Sequence, residues 1–444
     1  MKLNYPHNTT VVNYYSSFSS CEEIANHLIP EISTSCFGIV LDKSSLIENT
    51  HLLLRYKQED NTTAASPAVL DSSPALQFSG FFVKPGNLKG RNRFAQKLRP
   101  LLASLAEVEK EMDELLLERN IHRGDDVVVM VVNEGEMDLF MNFVCSCHLH
   151  NISLDKILVF SASGEIIPLI TATGAIGYYH SEFASASKEH SVAYLDSVFV
   201  DMMWYKAFSV WLLLHLERNV LFQDVDIIWL KNPFPFFHSS LDILRSTSPI
   251  SPLPDAFLSD DGQRASPRFS PFYANSGFYY FLSNPKTIHV SWLIMLTFDV
   301  MQSGGSHQNV FTQRLLETFD QFGLITQSLS QKDFTNGATY HHTPSFINRM
   351  QQKKVVPFMF HMCWTANKLQ KLQYFNASHM WYVKNGLGYQ DFKGEGQFNQ
   401  YAMRLSQKGN GNLEKRSRSE EESIWKSIWN EMERRICSAM PNSP

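Results

Sequence analysis

Cysteine is scarce in this sequence, with six in 444 residues, at positions 21, 36, 145, 147, 363 and 437. That density is far below a disulfide scaffold, so the cysteines are not expected to staple the fold, and none of their spacings reads as a zinc site. A basic surplus is missing as well: 39 Lys+Arg stand against 44 Asp+Glu, for a formal charge of -5 and a pI of about 6.3. A chain without cationic excess has little to neutralise a phosphate backbone, which argues against nucleic acid as the main partner. Long apolar runs are lacking too. Tyr205 to Leu216 and Ser291 to Met301 are each interrupted by Lys, His or Asp, whereas a bilayer span takes about 20 apolar residues. The chain does not open on a basic segment followed by an apolar one, so no secretory signal is visible in the sequence as it stands.

Apolar material is nevertheless plentiful. A composition of 44% hydrophobic and 19% charged residues describes a globular chain with enough for one large core or a few ordinary ones. Residues 1–95 contain the loop-like stretch NTTAASPAVLDSSPA and no long periodic element, and read as a variable extension. From Arg93 to Asn120 apolar residues recur at helical spacing, among them Leu98, Leu101, Leu105, Val108, Met112 and Leu116. This predicts an amphipathic lead-in helix over 96–121 that stops at Arg123-Gly124-Asp125. Val127 to Val132 is a continuous, mostly β-branched run and predicts a strand buried on both faces. Helical spacing in Met137, Phe140, Met141, Val144 and Cys145 follows, then a second apolar run, Ile157 to Phe160; the order predicts a right-handed βαβ unit. Its first loop, Asn133 and Glu134, lies at the carboxyl edge where open α/β sheets bind nucleotides, although neither Gly-x-Gly-x-x-Gly nor a P-loop pattern occurs there. The last segment, 385–444, is charge-rich at EKRSRSEEES and then helical in pattern at Ile424, Trp425, Ile428, Trp429 and Met432.

The chemistry concentrates in WYKAFSVWLLLHLERNVLFQDVDIIWLKNPF, Trp204 to Phe234. A helix running to Arg218 precedes the strand Val220-Leu221-Phe222, and Asp224 and Asp226 stand at the strand's end. Strand alternation puts both on one face, where like charges held dry repel strongly. A divalent cation between them removes the repulsion. Oxygen ligands suit Mn²⁺ or Mg²⁺, and either metal would in turn hold a diphosphate. The competing reading is a pair of turn carboxylates in water.

The stretch LFQDVDIIWLKNPF resembles the Asp-x-Asp segment of plant and algal nucleotide-diphospho-sugar transferases, relatives of cell-wall arabinosyl-, xylosyl- and galactosyltransferases. Further segments are similar to that family in its order: Asp-Gly in SDDGQR, then YANSGFYYFLSNPKT, SHQNVFTQRL, FTNGATYHH, and the closing HMCWTANKLQKLQYFNASHMWYV. The likeness spans residues 122–384. It implies a GT-A fold of the α/β class, a Rossmann-like nucleotide-binding half fused to an acceptor-binding half around a mixed central sheet. It implies a retaining glycosyltransferase that uses Mn²⁺ (or Mg²⁺) and moves a sugar from a UDP-sugar donor to a glycan or glycoprotein acceptor, commonly in the Golgi lumen. UDP-galactose, UDP-xylose and UDP-arabinose are the donor candidates. Four Asn-x-Ser/Thr sequons, at Asn8, Asn61, Asn151 and Asn376, lean weakly towards the same compartment.

Single residues follow from the two readings together. His361 comes after the apolar run Val355 to Phe360, and a neutral imidazole suits a third ligand beside Asp224 and Asp226; as a bare residue it is equally a hydrogen-bonded rim histidine. Lys368 matches the family lysine that meets the diphosphate and steadies charge on the leaving group. Asn133, Lys206, Asp224, Asn275 and Ser276 complete the donor-binding set, with a solvated lysine and a turn cap as the plain alternatives for Lys206 and Asn275. Asp261, before Gly262, reads either as a carboxylate for a sugar hydroxyl or, given the Ser, Pro and Asp around it, as part of an exposed loop. Trp364 reads as core packing before it reads as a sugar platform, and Cys363 as buried and inert. One departure stands out. Where the family has Asp-Gln, this chain has His307-Gln308, so the catalytic candidates are Gln308, Asp261 and His307, and an imidazole cannot supply the missing negative charge. This substitution motivates a second reading, a descendant that binds a sugar nucleotide or glycan without turnover. Acceptor contacts are expected from variable loops such as Ser239 to Pro271.

Overall fold

The computed structural model describes residues 36–39, 54–57, 89–181, 197–247, 252–262, 273–297, 300–301, 306–384 and 436–437. The chain divides into two compact units, Met1–Arg99 and Pro100–Pro444. In the first, β1 (Cys36–Ile39) and β2 (Leu54–Lys57) pair antiparallel. Helix α1 (Lys89–Glu118) starts before the apolar period does. Leu101, Val108, Met112 and Leu116 are buried along one stripe, as the spacing predicts, whereas Leu102, which falls in the same apolar period, is exposed. The turn after α1 is clamped by the fully buried Arg218, which bonds Asp113 and the carbonyl oxygens of Leu216 and Ile121.

The second unit continues as β3 (Asp126–Val132), α2 (Met137–Leu149), β4 (Ile157–Ser161), α3 (Ile167–Ala172), β5 (Ile176–Tyr178), α4 (Ser197–His215), β6 (Asn219–Gln223), β7 (Ile227–Trp229) and α5 (Phe234–Thr247). Then come β8 (Ala256–Asp260), β9 (Ala274–Phe281), α6 (Pro285–Leu296), α7 (His307–Phe322), β10 (Thr326–Leu329), β11 (Phe334–Asn336), α8 (Gly337–His342), α9 (Pro344–Gln351), β12 (Met359–His361) and α10 (Lys368–Ala377). Seven strands form one sheet in the order β10-β8-β9-β6-β3-β4-β5. Strand β9 runs antiparallel to both its neighbours, and the remaining pairs are parallel. The expected βαβ unit is present as β3-α2-β4, and β3 is buried on both faces from Val127 to Val132. The α/β class and the mixed central sheet are as expected, with β6, β3, β4 and β5 parallel and β9 antiparallel between β8 and β6.

A second, three-stranded sheet, β11-β12-β7, sets β12 antiparallel to β7, with His361 opposite Ile227. Trp229, Phe334 and Met359 of this sheet share one apolar cluster with Val128, Leu221 and Phe278 of the large one. The core therefore fixes the small sheet against the carboxyl ends of β6 and β3, which is where the two aspartates stand.

Several expectations need correction. Cys145 on α2 forms a disulfide with Cys437, 292 positions away, so one pair of cysteines does tie the fold. A low cysteine count excludes a scaffold of many short loops but is silent on a single long-range tie. Around it Val383 bridges Cys437, the Lys384 N–H donates to the Ile436 carbonyl at 2.8 Å, and Ile436 enters the core. The run Val355 to Phe360 is a strand only from Met359, since Pro357 has no N–H for a ladder. Asn275 and Ser276 lie inside β9, so the turn-cap alternative for Asn275 does not apply. The stretch Ser239 to Pro271 is no continuous loop, because α5 runs to Thr247 and β8 follows. No helix among the described residues is long and apolar enough to cross a membrane. Most of the extension over 1–95 and the helical pattern at Ile424 to Met432 lie outside the described residues.

Candidate functional site

Asp224 and Asp226 occupy the turn between β6 and β7, not the strand itself, so alternation is not what brings them together. The Asp224 N–H donates to the Gly277 carbonyl (2.8 Å), extending the β6–β9 ladder by one residue, and the Asp226 carbonyl accepts from the Met362 N–H (3.0 Å) just past β12. Each aspartate is thus fixed by a different strand. His361 Nε2 lies 3.2 Å from Asp226 Oδ1 and 4.0 Å from Asp224 Oδ2. One ligand atom from each of the three residues falls within 4.8 Å of the others. Gly277 keeps this space open. A Cβ there would stand 2.5 Å from His361 Cε1 and 2.7 Å from Asp224 Oδ2, so the glycine is required by close approach, not by a turn.

Two lysines already meet the carboxylates. Lys206 on α4 pairs with Asp224 Oδ1, and Lys371 on α10 reaches Asp226 Oδ2 at 2.7 Å. Burial alone would raise the Asp226 carboxyl, but Lys371 and His361 outweigh it and hold the group well below the usual carboxylate range. Lys371 is raised in return, against its own burial, by Asp226 and Glu136. The repulsion that the sequence assigned to a cation is therefore relieved by side chains, and close carboxylates alone do not demand a metal. What fits one is the donor set: two carboxylates and a buried imidazole, converging on a gap that glycine leaves open.

Lys368 stands one turn earlier on α10. It pairs with Asp138 at 2.6 Å and with the Gly135 carbonyl, not with the aspartate pair. It thereby draws α10 onto the loop after β3, where Asn133 and Glu134 are buried and Ser163 donates to Glu134 Oε1 at 2.8 Å. Glu136 in that loop is raised by burial, with Lys371 and Lys368 opposing. The sequence reading missed Lys371, although its place three residues after Lys368 puts it on the same helix face.

On the other side of the triad, Asn275 Nδ2 donates to Asp261 Oδ1 at 2.7 Å while its Oδ1 accepts from the Gly277 N–H at 2.8 Å. This fixes the amide and holds the buried carboxylate. Burial raises Asp261, tempered by Asn275 and Gln308. Gln308 Oε1 also accepts from the Ser276 N–H at 3.3 Å. His307 opens α7, is 3% exposed, and is pushed down to about 3, by burial first and Lys206 second, so it is a neutral ring at neutral pH. Cys363 is half-buried, with Asn275 Nδ2 3.8 Å from its sulfur, and Trp364 is 37% exposed. Both differ from the buried positions expected, because the chain turns outward only after the buried Met362.

The turn motifs have a common support. Asn336 donates to the Asp260 carbonyl at 2.7 Å and caps α8 through the Ala338 N–H at 3.1 Å. It also pairs in register with His361. Residues 153–375 match the model of the nucleotide-diphospho-sugar transferase family, half of the chain. The chain belongs to that family. Among its relatives, the beta-arabinofuranosyltransferase RAY1 of Arabidopsis thaliana is 23% identical over 280 residues, covering 60% of this chain and 50% of that protein. An uncharacterized protein of the same plant is 29% identical over 151 residues, 33% of this chain and 40% of its own. The chain spans about half the length of these curated relatives. Mouse xyloside xylosyltransferase 1 superposes over 55% of this chain and 99% of that one at 11% identity, with a TM-score of 0.33, a likeness too slight to weigh. In this family member the transferase segments thus meet at one carboxyl edge of the sheet.

Proposed function

We propose that the chain is a metal-dependent, retaining glycosyltransferase that uses a UDP-sugar donor and a glycan or glycoprotein acceptor. The observation that carries this reading is the convergence of Asp224, Asp226 and His361 within 4.8 Å, at a carboxyl edge of the kind where open α/β sheets bind nucleotides. These three residues would hold Mn²⁺ or Mg²⁺, which when bound supplies positive charge to the diphosphate as it leaves. Lys206 and Lys371 hold the carboxylates in the free protein and are positioned to turn to the phosphates once a cation takes their place. Lys368 fixes the loop containing Asn133 against α10, which sets the nucleotide pocket's wall. On the sugar side, Asn275 and Asp261 offer an amide and a carboxylate to hydroxyl groups, and Gln308 orients the strand backbone at Ser276. His307 is neutral and buried and brings no general base. An internal return is consistent with that, the acceptor attacking from the face the diphosphate vacates.

The test is UDP release from a panel of UDP-galactose, UDP-xylose and UDP-arabinose with Mn²⁺. Turnover that is absent throughout, or that persists unchanged in Asp226→Asn or after chelation, would sink the reading. His307 in place of an aspartate favours the second possibility, metal-dependent UDP binding without transfer. His307→Asp restoring turnover to a silent wild type would support it.

An oxidising, lumenal compartment fits the same function. The Cys145–Cys437 disulfide belongs to such a setting, and the sequon residues Asn151 and Asn376 are both exposed. Expression through a plant secretory pathway should yield a form that a glycosidase shifts in mass. Vacant sites at both positions together with free thiols at Cys145 and Cys437 would count against this location.

A further inference from the structure

Trp364 stands in a conformation that the surrounding residues enforce. Its φ is 61°, in the left-handed region that favours glycine, and a bulky residue is held there only when neighbours over-determine it. Helix α8 supplies that constraint. At Gly337 a Cβ would lie 1.9 Å from the Cys363 carbonyl oxygen and 3.0 Å from Trp364 Cβ, so the glycine lets the turn pass. His341 Nε2 lies 3.1 Å from the Trp364 carbonyl oxygen, and the His342 ring meets the indole edge-on at 5.4 Å and 88°. The indole Nε1–H donates to the Asp261 carbonyl at 3.0 Å. Its polar edge is thereby spent, yet the residue remains 37% exposed.

A tryptophan that merely fills a core is buried in relaxed backbone. This one is pinned at three points with indole surface left to solvent, three residues beyond His361 and against the backbone of Asp261. We propose that Trp364 is the platform of an acceptor subsite, stacking its indole on the apolar C–H face of a neutral glycan ring. The inference rests on the glycosyltransferase reading for the word acceptor, but the subsite itself is a carbohydrate-binding claim. An aromatic face suits a sugar because the ring's axial hydrogens carry slight positive charge towards the negative π-face, while His341 and His342 stand beside it for hydroxyl groups.

The test uses the full chain with UDP and Mn²⁺ present, and titrates methyl β-D-galactopyranoside, methyl α-L-arabinofuranoside and methyl β-D-xylopyranoside by saturation-transfer NMR and calorimetry. At least one glycoside should bind. Trp364→Ala should weaken it about tenfold, and Trp364→Phe, which keeps a face but loses the N–H, should stay within about threefold of wild type. Phe319→Ala, on the exposed side of α7, should change nothing. Thermal melts of each variant separate lost binding from lost folding, and His342→Ala provides a second, milder perturbation of the same platform. The proposal is overturned if no glycoside binds, if Trp364→Ala binds like wild type, or if Phe loses as much as Ala, which would assign the tryptophan to holding Asp261. UDP release without any glycoside, compared between wild type and Asp226→Asn, reports on the transferase reading separately. Glycoside binding that depends on Trp364 without UDP release keeps the subsite and rejects the transferase. The reverse pattern does the opposite.

Discussion

Asp126 and Asp226 are alike at first sight: each is a largely buried aspartate with a histidine Nε2 on one oxygen, His238 at 2.6 Å and His361 at 3.2 Å. Their surroundings separate them. Asp126 opens β3 at the amino edge of the sheet, and its other oxygen accepts from Tyr280 Oη at 2.6 Å and Asn219 Nδ2 at 3.1 Å. Short-reach donors, Asn219 on β6 and Tyr280 on β9, close around it. Asp226 lies in a turn at the carboxyl edge, shares its histidine with a second carboxylate, and is otherwise held by Lys371 on a long stem. Asp226 thus faces a second carboxylate and charged partners, the setting that the proposed cation site requires, whereas Asp126 does not.

The largest effect should come from Asp226→Asn, which is expected to lower UDP release about a thousandfold, the value of several kcal/mol of lost charge stabilisation. Asp126→Asn should leave turnover within about twofold. Equal losses in the two variants would erase the distinction. Next in size, Asp126→Asn should cost about 1–3 kcal/mol of stability in a urea titration, because Tyr280 and His238 lose a charged partner. A midpoint unchanged from wild type would make Asp126 as exchangeable as Asp226. Lys371→Met should then raise Mn²⁺ affinity about tenfold in calorimetry without nucleotide, since the cation no longer displaces an ammonium; weakened Mn²⁺ binding would show that Lys371 organises the ligands instead.

The smallest effect concerns His307. Its pKa falls from an ordinary 6.5 to about 3 in the folded protein, so below 6.5 the unfolded state takes up a proton that the folded state refuses. The stabilisation is complete above pH 6.5 and fades as pH falls towards 3. His307→Gln should therefore narrow the stability difference between pH 7.5 and 5.5 by about 1 kcal/mol. An unaltered difference would mean that the ring is charged beside Lys206.

Much of this was legible in the sequence for physical reasons. The β-branched run at Val127 to Val132, the helical period before it and the order of apolar runs fixed β3, α2, β4 and β6 to within a few residues, because burial periodicity is local. The triad's membership was readable from residue type and motif order. Lys371 was hidden because a lysine declares nothing about its partner until a helix is docked, and Trp364 because an aromatic in sequence looks like core. Cys145 and Cys437 were misjudged because pairing across 292 positions has no local signature.

By itself, then, the sequence determined the order of the main strands and helices and the residues with ligand chemistry, both of which follow from side-chain type and short-range spacing. Only the tertiary structure decided which donors surround each aspartate, that lysines already balance the carboxylate pair, and that a tryptophan is exposed beyond the triad. Those depend on which donors from distant strands meet each group, and chain separation carries no information about that distance.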